Sequence, residues 1–147
     1  MKILIYGAGV IGSVFAGKLA LSGCDITVLA RGKRLGELQE NGVILLRPGA
    51  RQREQAFVRV IDTLKPEERF DYLFVAMQRT QVNDVLPALS ENQSQNIVFV
   101  VNTASGYDAW AEAVGENRLM FGFPSAGGER KDGQVTYFIG KGPMRIK

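Results

Sequence analysis

Short, wholly apolar runs alternate along this chain with longer segments whose apolar residues recur every three or four positions. The first run, residues 2–6, breaks at once into Gly7-Ala8-Gly9. Helical spacing then holds from 10 to 21, with Val10, Val14, Gly17 and Leu21 near one face and Ile11, Phe15 and Leu19 beside it. Ser22-Gly23 stops it, glycine being the usual residue just past a helix end. Residues 26–30 form a second, β-branched strand pattern. A short helix over 33–40 ends at Asn41-Gly42, and residues 43–46 and 57–61 read as strands around a polar loop at 48–55. Further strands are expected at 72–77, 97–101, 119–123 and 135–139, with helices at 81–89 and 107–114. Residues 125–128 read as a flexible loop near the ligand-binding cleft. Met144, Arg145, Ile146 and Lys147 look like a strand cut short, so the chain is expected to be the front half of a larger protein. Strand and helix patterns in alternation predict an α/β fold of Rossmann type: a doubly wound, mostly parallel sheet with helices on both faces.

Composition changes this picture little. The 147 residues suffice for one domain with a real core, and 46% apolar against 22% charged residues argues against disorder. A net charge of +3 without a basic run gives no case for nucleic acid. No apolar stretch reaches the roughly 20 residues that span a bilayer. The single cysteine, Cys24, excludes an internal disulfide and fits a reducing, cytoplasmic setting. The absence of histidine matters more. It excludes Ser-His-Asp, Cys-His and His-based metal chemistry within the chain, and no metal site is expected.

The informative motif is Gly7-Ala8-Gly9-Val10-Ile11-Gly12 between a strand and a helix, with a second strand following. Gly7 permits the tight turn, Gly9 lets backbone approach a pyrophosphate, and Gly12 lets helix and strand pack closely. The N–H groups at the helix start then face the phosphates. Enzymes that use NAD place an acid at the end of the second strand to grip the ribose 2′-hydroxyl. Here that position reads Ala30-Arg31-Gly32, and Asp25 lies at the wrong end of the strand. Arg31 can bind a 2′-phosphate bidentately, with Lys33 or Arg34 adding charge, so NADP is the expected cofactor. Met77, Gln78 and Asn102 also follow strands, at the edge where open α/β sheets bind ligands. Trp110 and Tyr107 are read as packing residues.

These residues resemble a known family. The glycine motif, the strand ending in Arg31, Phe74-Val75-Ala76-Met77 running into Gln81-Val82, and Val101-Asn102 are similar to the N-terminal domain of ketopantoate reductase (2-dehydropantoate 2-reductase). The segment Phe121-Gly122 to Gly128, then Gly133-Gln134-Val135 and Ile139-Gly140, extends the likeness over essentially all 147 residues. The resemblance implies reduction of the ketone of a small 2-keto acid with NADPH, on the route to pantothenate. It implies that this domain binds cofactor while a helical C-terminal domain, absent here, supplies the catalytic lysine. It places Asn102 beside nicotinamide and substrate. It puts Gln78 where the family carries a cleft lysine, with neighbouring Arg79 as a substitute. Thr103-Ala104-Ser105 intervene before Gly106, where the family has glycine directly after the asparagine.

The expected function is therefore that of an NADPH-dependent oxidoreductase acting on a 2-keto acid, with Asn102 and Gln78 as catalytic candidates. Cofactor contacts are assigned to Gly7, Ala8, Gly9, Val10, Ile11, Gly12, Arg31, Met77, Gln78 and Asn102. A homodimer is allowed for. The isolated 147 residues are expected to bind cofactor but turn over poorly. The alternative is a non-catalytic dinucleotide-binding module or degenerate family member, which Gln78 favours. An adenosylmethionine-dependent methyltransferase is opposed by Arg31, since an acid belongs there.

Overall fold

A computed structural model describes residues 1–103 and 106–140 and the backbone of a short strand at Arg145–Ile146. Met144 and Lys147 of the expected terminal strand, and Ala104 and Ser105, lie outside the described residues. In chain order the elements are β1 (Lys2–Tyr6), α1 (Val10–Leu21), β2 (Asp25–Leu29), α2 (Gly32–Asn41), β3 (Val43–Leu46), β4 (Glu54–Ala56) and β5 (Arg59–Ile61). They continue with β6 (Tyr72–Val75), α3 (Arg79–Glu91), β7 (Ile97–Phe99), α4 (Asp108–Val114), a 3₁₀ turn, β8 (Leu119–Phe123), β9 (Ala126–Lys131), β10 (Gln134–Ile139) and β11 (Arg145–Ile146).

The main sheet runs β11-β8-β7-β6-β1-β2-β5, parallel throughout except for β11, which is antiparallel to β8. Setting β11 aside, this is the doubly wound order, with its switch point between β1 and β6. Strand alternation sends β1 side chains to two cores. Ile3 and Ile5 pack with Val14 and Ala16 of α1, while Leu4 and Tyr6 pack with Val82, Val85 and Leu89 of α3 and Trp110 of α4. Helices therefore cover both faces, as expected. Trp110 is 5% exposed and stacks on Phe99 with ring centroids 4.9 Å apart, which fits its reading as a packing residue.

A second sheet, β4-β3-β10-β9, departs from the expectation. Residues 43–46 and 57–61 do not share a sheet: β3 pairs with β10, and β5 joins the main sheet beside β2. The end of the expected polar loop, from Glu54, belongs to β4. Residues 125–128 are not a flexible loop, because Ala126–Lys131 is a strand paired antiparallel with β10. The hairpin closes at Asp132-Gly133 with both residues at positive φ (50° and 77°), the conformation that a two-residue turn between twisted strands requires.

This second sheet explains why α1 is apolar nearly all round. Its Gly12 side faces β1, and its Gly17 side faces the small sheet, where a Cβ on Gly17 would sit 2.7 Å from Leu45 Cδ1. A helix between two sheets buries both sides. Leu21, expected on the buried face, is the last residue of the helix and is 53% exposed.

Candidate functional site

The carboxyl ends of β1, β2, β6, β7 and β8 border a cleft of about 900 Å³, of the size that holds a small ligand or cofactor. After Tyr6 the chain turns at Gly7, whose φ is +111°, and a Cβ there would collide with the Ala76 carbonyl. A Cβ on Gly12 would collide with the carbonyl of Gly7 and lie 3.3 Å from Ile5 Cγ2. Gly9 differs. It is the N-cap of α1 with extended backbone (φ −72°, ψ −161°), and a Cβ there would meet nothing within 4 Å. Neither packing nor backbone conformation demands glycine at this position. Gly7 to Ile11 line the cleft, while Gly12 lies buried beneath it.

Arg34 holds the turn in shape. Only 8% exposed, it donates from Nε to the Ala8 carbonyl at 3.1 Å and from Nη2 to Ser13 Oγ at 3.0 Å. Nη1 donates to the Gly133 carbonyl at 3.0 Å and to Glu37 Oε2 at 3.1 Å. Burial pulls its guanidinium below the usual arginine range, which the bond to Glu37 opposes. Arg34 borders the cleft beside Arg31, where its charge was expected, with its donors bonded to the protein. These bonds tie the Ala8 carbonyl of the turn to α2. Lys33 is exposed and lies 3.7 Å from Glu37 Oε1.

Arg31 is exposed at the N-cap of α2, and its Nη2 donates to the Tyr6 hydroxyl at 3.3 Å. Burial raises the Tyr6 hydroxyl above its usual value against the opposing pull of Arg31, so a neutral phenol receives the guanidinium. Across the switch point, Met77 is half-buried and Gln78 is the N-cap of α3. The Gln78 N–H donates to Gln81 Oε1 at 3.2 Å and the Gln81 N–H returns to the Gln78 carbonyl at 2.9 Å, so Gln81 serves as a cap. Asn102 is exposed beyond β7 and lines the same cleft, as do Arg79 and Asp84.

Every residue assigned to the cofactor from sequence thus borders one cavity, Gly12 excepted. Sequence reasoning misses Tyr6, which its apolar run marks only as strand, and Arg130, which borders the cleft from the unexpected β9. The Asp132-Gly133 pair ahead of an alternating run was the available signal for that hairpin.

A doubly wound sheet with a glycine-rich strand-turn-helix at its switch point defines a Rossmann-type nucleotide-binding domain. The family model described as Ketopantoate reductase PanE/ApbA matches residues 3–147, and the chain belongs to that family. A 2-dehydropantoate 2-reductase of Mesorhizobium japonicum is 34% identical over 117 residues, covering 75% of this chain and 33% of that protein. The crystal structure of a probable 2-dehydropantoate 2-reductase from Bacillus subtilis superposes with a TM-score of 0.78 at 25% identity, over 92% of this chain and 46% of that one. A PanE/ApbA family ketopantoate reductase from Ralstonia eutropha gives a TM-score of 0.83 at 20% identity, over 99% and 49% of the two chains. The chain therefore spans half or less of the length of these relatives. Among the described residues no helix is long and apolar enough to cross a membrane.

Proposed function

We propose that this chain is the cofactor-binding part of an NADPH-dependent reductase of small 2-keto acids. The observation that carries the reading is Gly9. The fold leaves open the space a Cβ would fill there, at the start of a helix whose first N–H groups have no intrahelical acceptor. That space suits a pyrophosphate on the backbone of Gly7 to Ile11. Arg31, on the neighbouring strand end, takes the ribose 2′-phosphate. Met77, Gln78 and Asn102, across the switch point, take the nicotinamide end. The bound dinucleotide supplies a hydride for the substrate's carbonyl carbon.

Within that arrangement, the side-chain amides of Asn102 and Gln78 orient the carbonyl and the nicotinamide. Neither releases a proton at neutral pH, so the proton donor is assigned to a helical domain of a longer protein. The length of the relatives supports this division. A second reading, a dinucleotide-binding module without turnover, is favoured by Gln78 at the position of the family's lysine. The test is NADPH consumption by the full-length polypeptide with ketopantoate and a panel of other 2-keto acids, with and without Gln78→Lys. Turnover on any of them supports the reductase. NADPH binding without turnover on the whole panel, in both forms, selects the second reading.

A further inference from the structure

Beside the main cleft lies a smaller cavity of about 410 Å³, walled by Arg31, Lys33, Arg34 and Arg130 together with Glu37 and Asp132. Four cations face two carboxylates, a surplus of two positive charges. Arg31, Arg34 and Arg130 border both cavities. Among the described residues, Arg31 and Arg130 are the two of these guanidiniums without a hydrogen bond to a carboxylate. Arg34 is spent on the protein, as described above. Glu37 serves three cations at once: its Oε2 accepts from Arg34 at 3.1 Å and lies 3.8 Å from Arg130 Nη1, too long for a hydrogen bond, while Lys33 lies 3.7 Å from Oε1. The Arg31 guanidinium donates to a neutral phenol and makes no ion pair among the described residues. The N-terminus of α2 adds its positive dipole end at Arg31.

Arg130 is held in place from two sides. Its backbone pairs with Val135 in the hairpin, and the hairpin is tied to α2 by the bond from Arg34 to the Gly133 carbonyl. Its side chain remains 41% exposed, and the residue lines both cavities. A phosphate monoester carries about −1.5 to −2 charges at neutral pH and three acceptor oxygens, matching the surplus.

We infer that Arg130 is a second guanidinium for the ribose 2′-phosphate, acting with Arg31, so that the small second sheet helps to choose between phosphorylated and unphosphorylated adenosine. This inference rests on the NADP reading above. It adds a specificity residue from an element outside the parallel sheet, 99 positions along the chain from Arg31.

The test is calorimetric titration of the 147-residue chain and its Arg130→Ala and Arg130→Lys variants. The probes are NADPH, NADH, adenosine 2′,5′-bisphosphate and adenosine 5′-monophosphate, with urea melts to confirm folding. Replacing a half-exposed strand side chain leaves the backbone pairing intact. Arg130→Ala is expected to weaken NADPH and the bisphosphate roughly tenfold and leave NADH and the monophosphate within about twofold, with Arg130→Lys intermediate. If Arg130→Ala keeps the full preference for NADPH, the inference fails and the NADP reading stands. An equal loss for all four probes makes Arg130 a structural residue and also overturns it. If neither dinucleotide binds the parent chain but the bisphosphate binds through Arg130, the inference holds and the dinucleotide reading falls. A parent chain indifferent to the 2′-phosphate overturns both.

Discussion

Gly9→Ala and Gly12→Ala separate a glycine kept for a ligand from one kept for the fold. A Cβ on Gly12 would lie on the carbonyl of Gly7, backbone against backbone, so α1 must move away from β1. Overpacking of that kind costs about 3 kcal/mol, the upper end of its usual range. At Gly9 the added methyl meets nothing. Two small effects there oppose each other. Alanine restricts the unfolded chain, a gain of about 0.4–1 kcal/mol, and it is a poorer helix N-cap than glycine by a similar amount. Gly9→Ala should therefore match the parent within about 1 kcal/mol in a urea melt. Its NADPH affinity should nevertheless fall, because the methyl occupies the space through which phosphate oxygens reach the helix-start N–H groups. Losing one charge-assisted hydrogen bond is worth about 1.5–3 kcal/mol, or roughly 10- to 150-fold in Kd by calorimetry. A Gly9→Ala chain that binds NADPH as the parent does would refute the reasoning, and so would one destabilised as much as Gly12→Ala.

Three further outcomes follow from the same structure. Arg34→Ala leaves the Ala8 carbonyl only the longer bond from Ser13 Oγ, at 3.3 Å, and takes the Arg34 donor from the part-buried Gly133 carbonyl, so it should cost about 1–3 kcal/mol in a urea melt and weaken NADPH as well. Arg34→Lys should not rescue it, since an ammonium cannot reproduce the fork. Trp110→Ala, which removes the ring stacked on Phe99, should cost about 3–5 kcal/mol while leaving NADPH affinity within about threefold. The Glu54 carboxyl is held below its usual value chiefly by the hydrogen bond from Lys18, at 2.8 Å. A depressed acid stabilises the folded state above its unfolded value of 4.5 and loses that contribution as the pH falls through the lower folded value. Glu54→Gln should accordingly flatten the acid limb of a stability-against-pH profile, read from urea midpoints.

The parallel sheet and the glycine turn were legible because their signals are local. Strands buried on both faces are mostly apolar, α1 begins and ends beside its glycines, and Arg31, Met77 and Asn102 lie within three residues of the ends of β2, β6 and β7. The second sheet was not legible, because β3 and β10 are separated by nearly 90 residues and only packing across α1 brings them together. For the same reason, sequence proximity suggested that Arg34 works beside Arg31, whereas the fold turns it inward onto Ala8, Ser13 and Gly133. Arg130 carries no local mark of a ligand residue. Its place at the cleft depends on a hairpin whose turn residues were visible and whose docking was not.

The central claim, a cleft built for a dinucleotide with a 2′-phosphate, is tested most directly by calorimetric titration of the 147-residue chain with NADPH and NADH, repeated for Arg31→Ala. The account predicts NADPH binding at least tenfold tighter than NADH, with Arg31→Ala removing most of the difference and leaving NADH unchanged. NADH binding as tightly as NADPH, or a preference that survives Arg31→Ala undiminished, would contradict it.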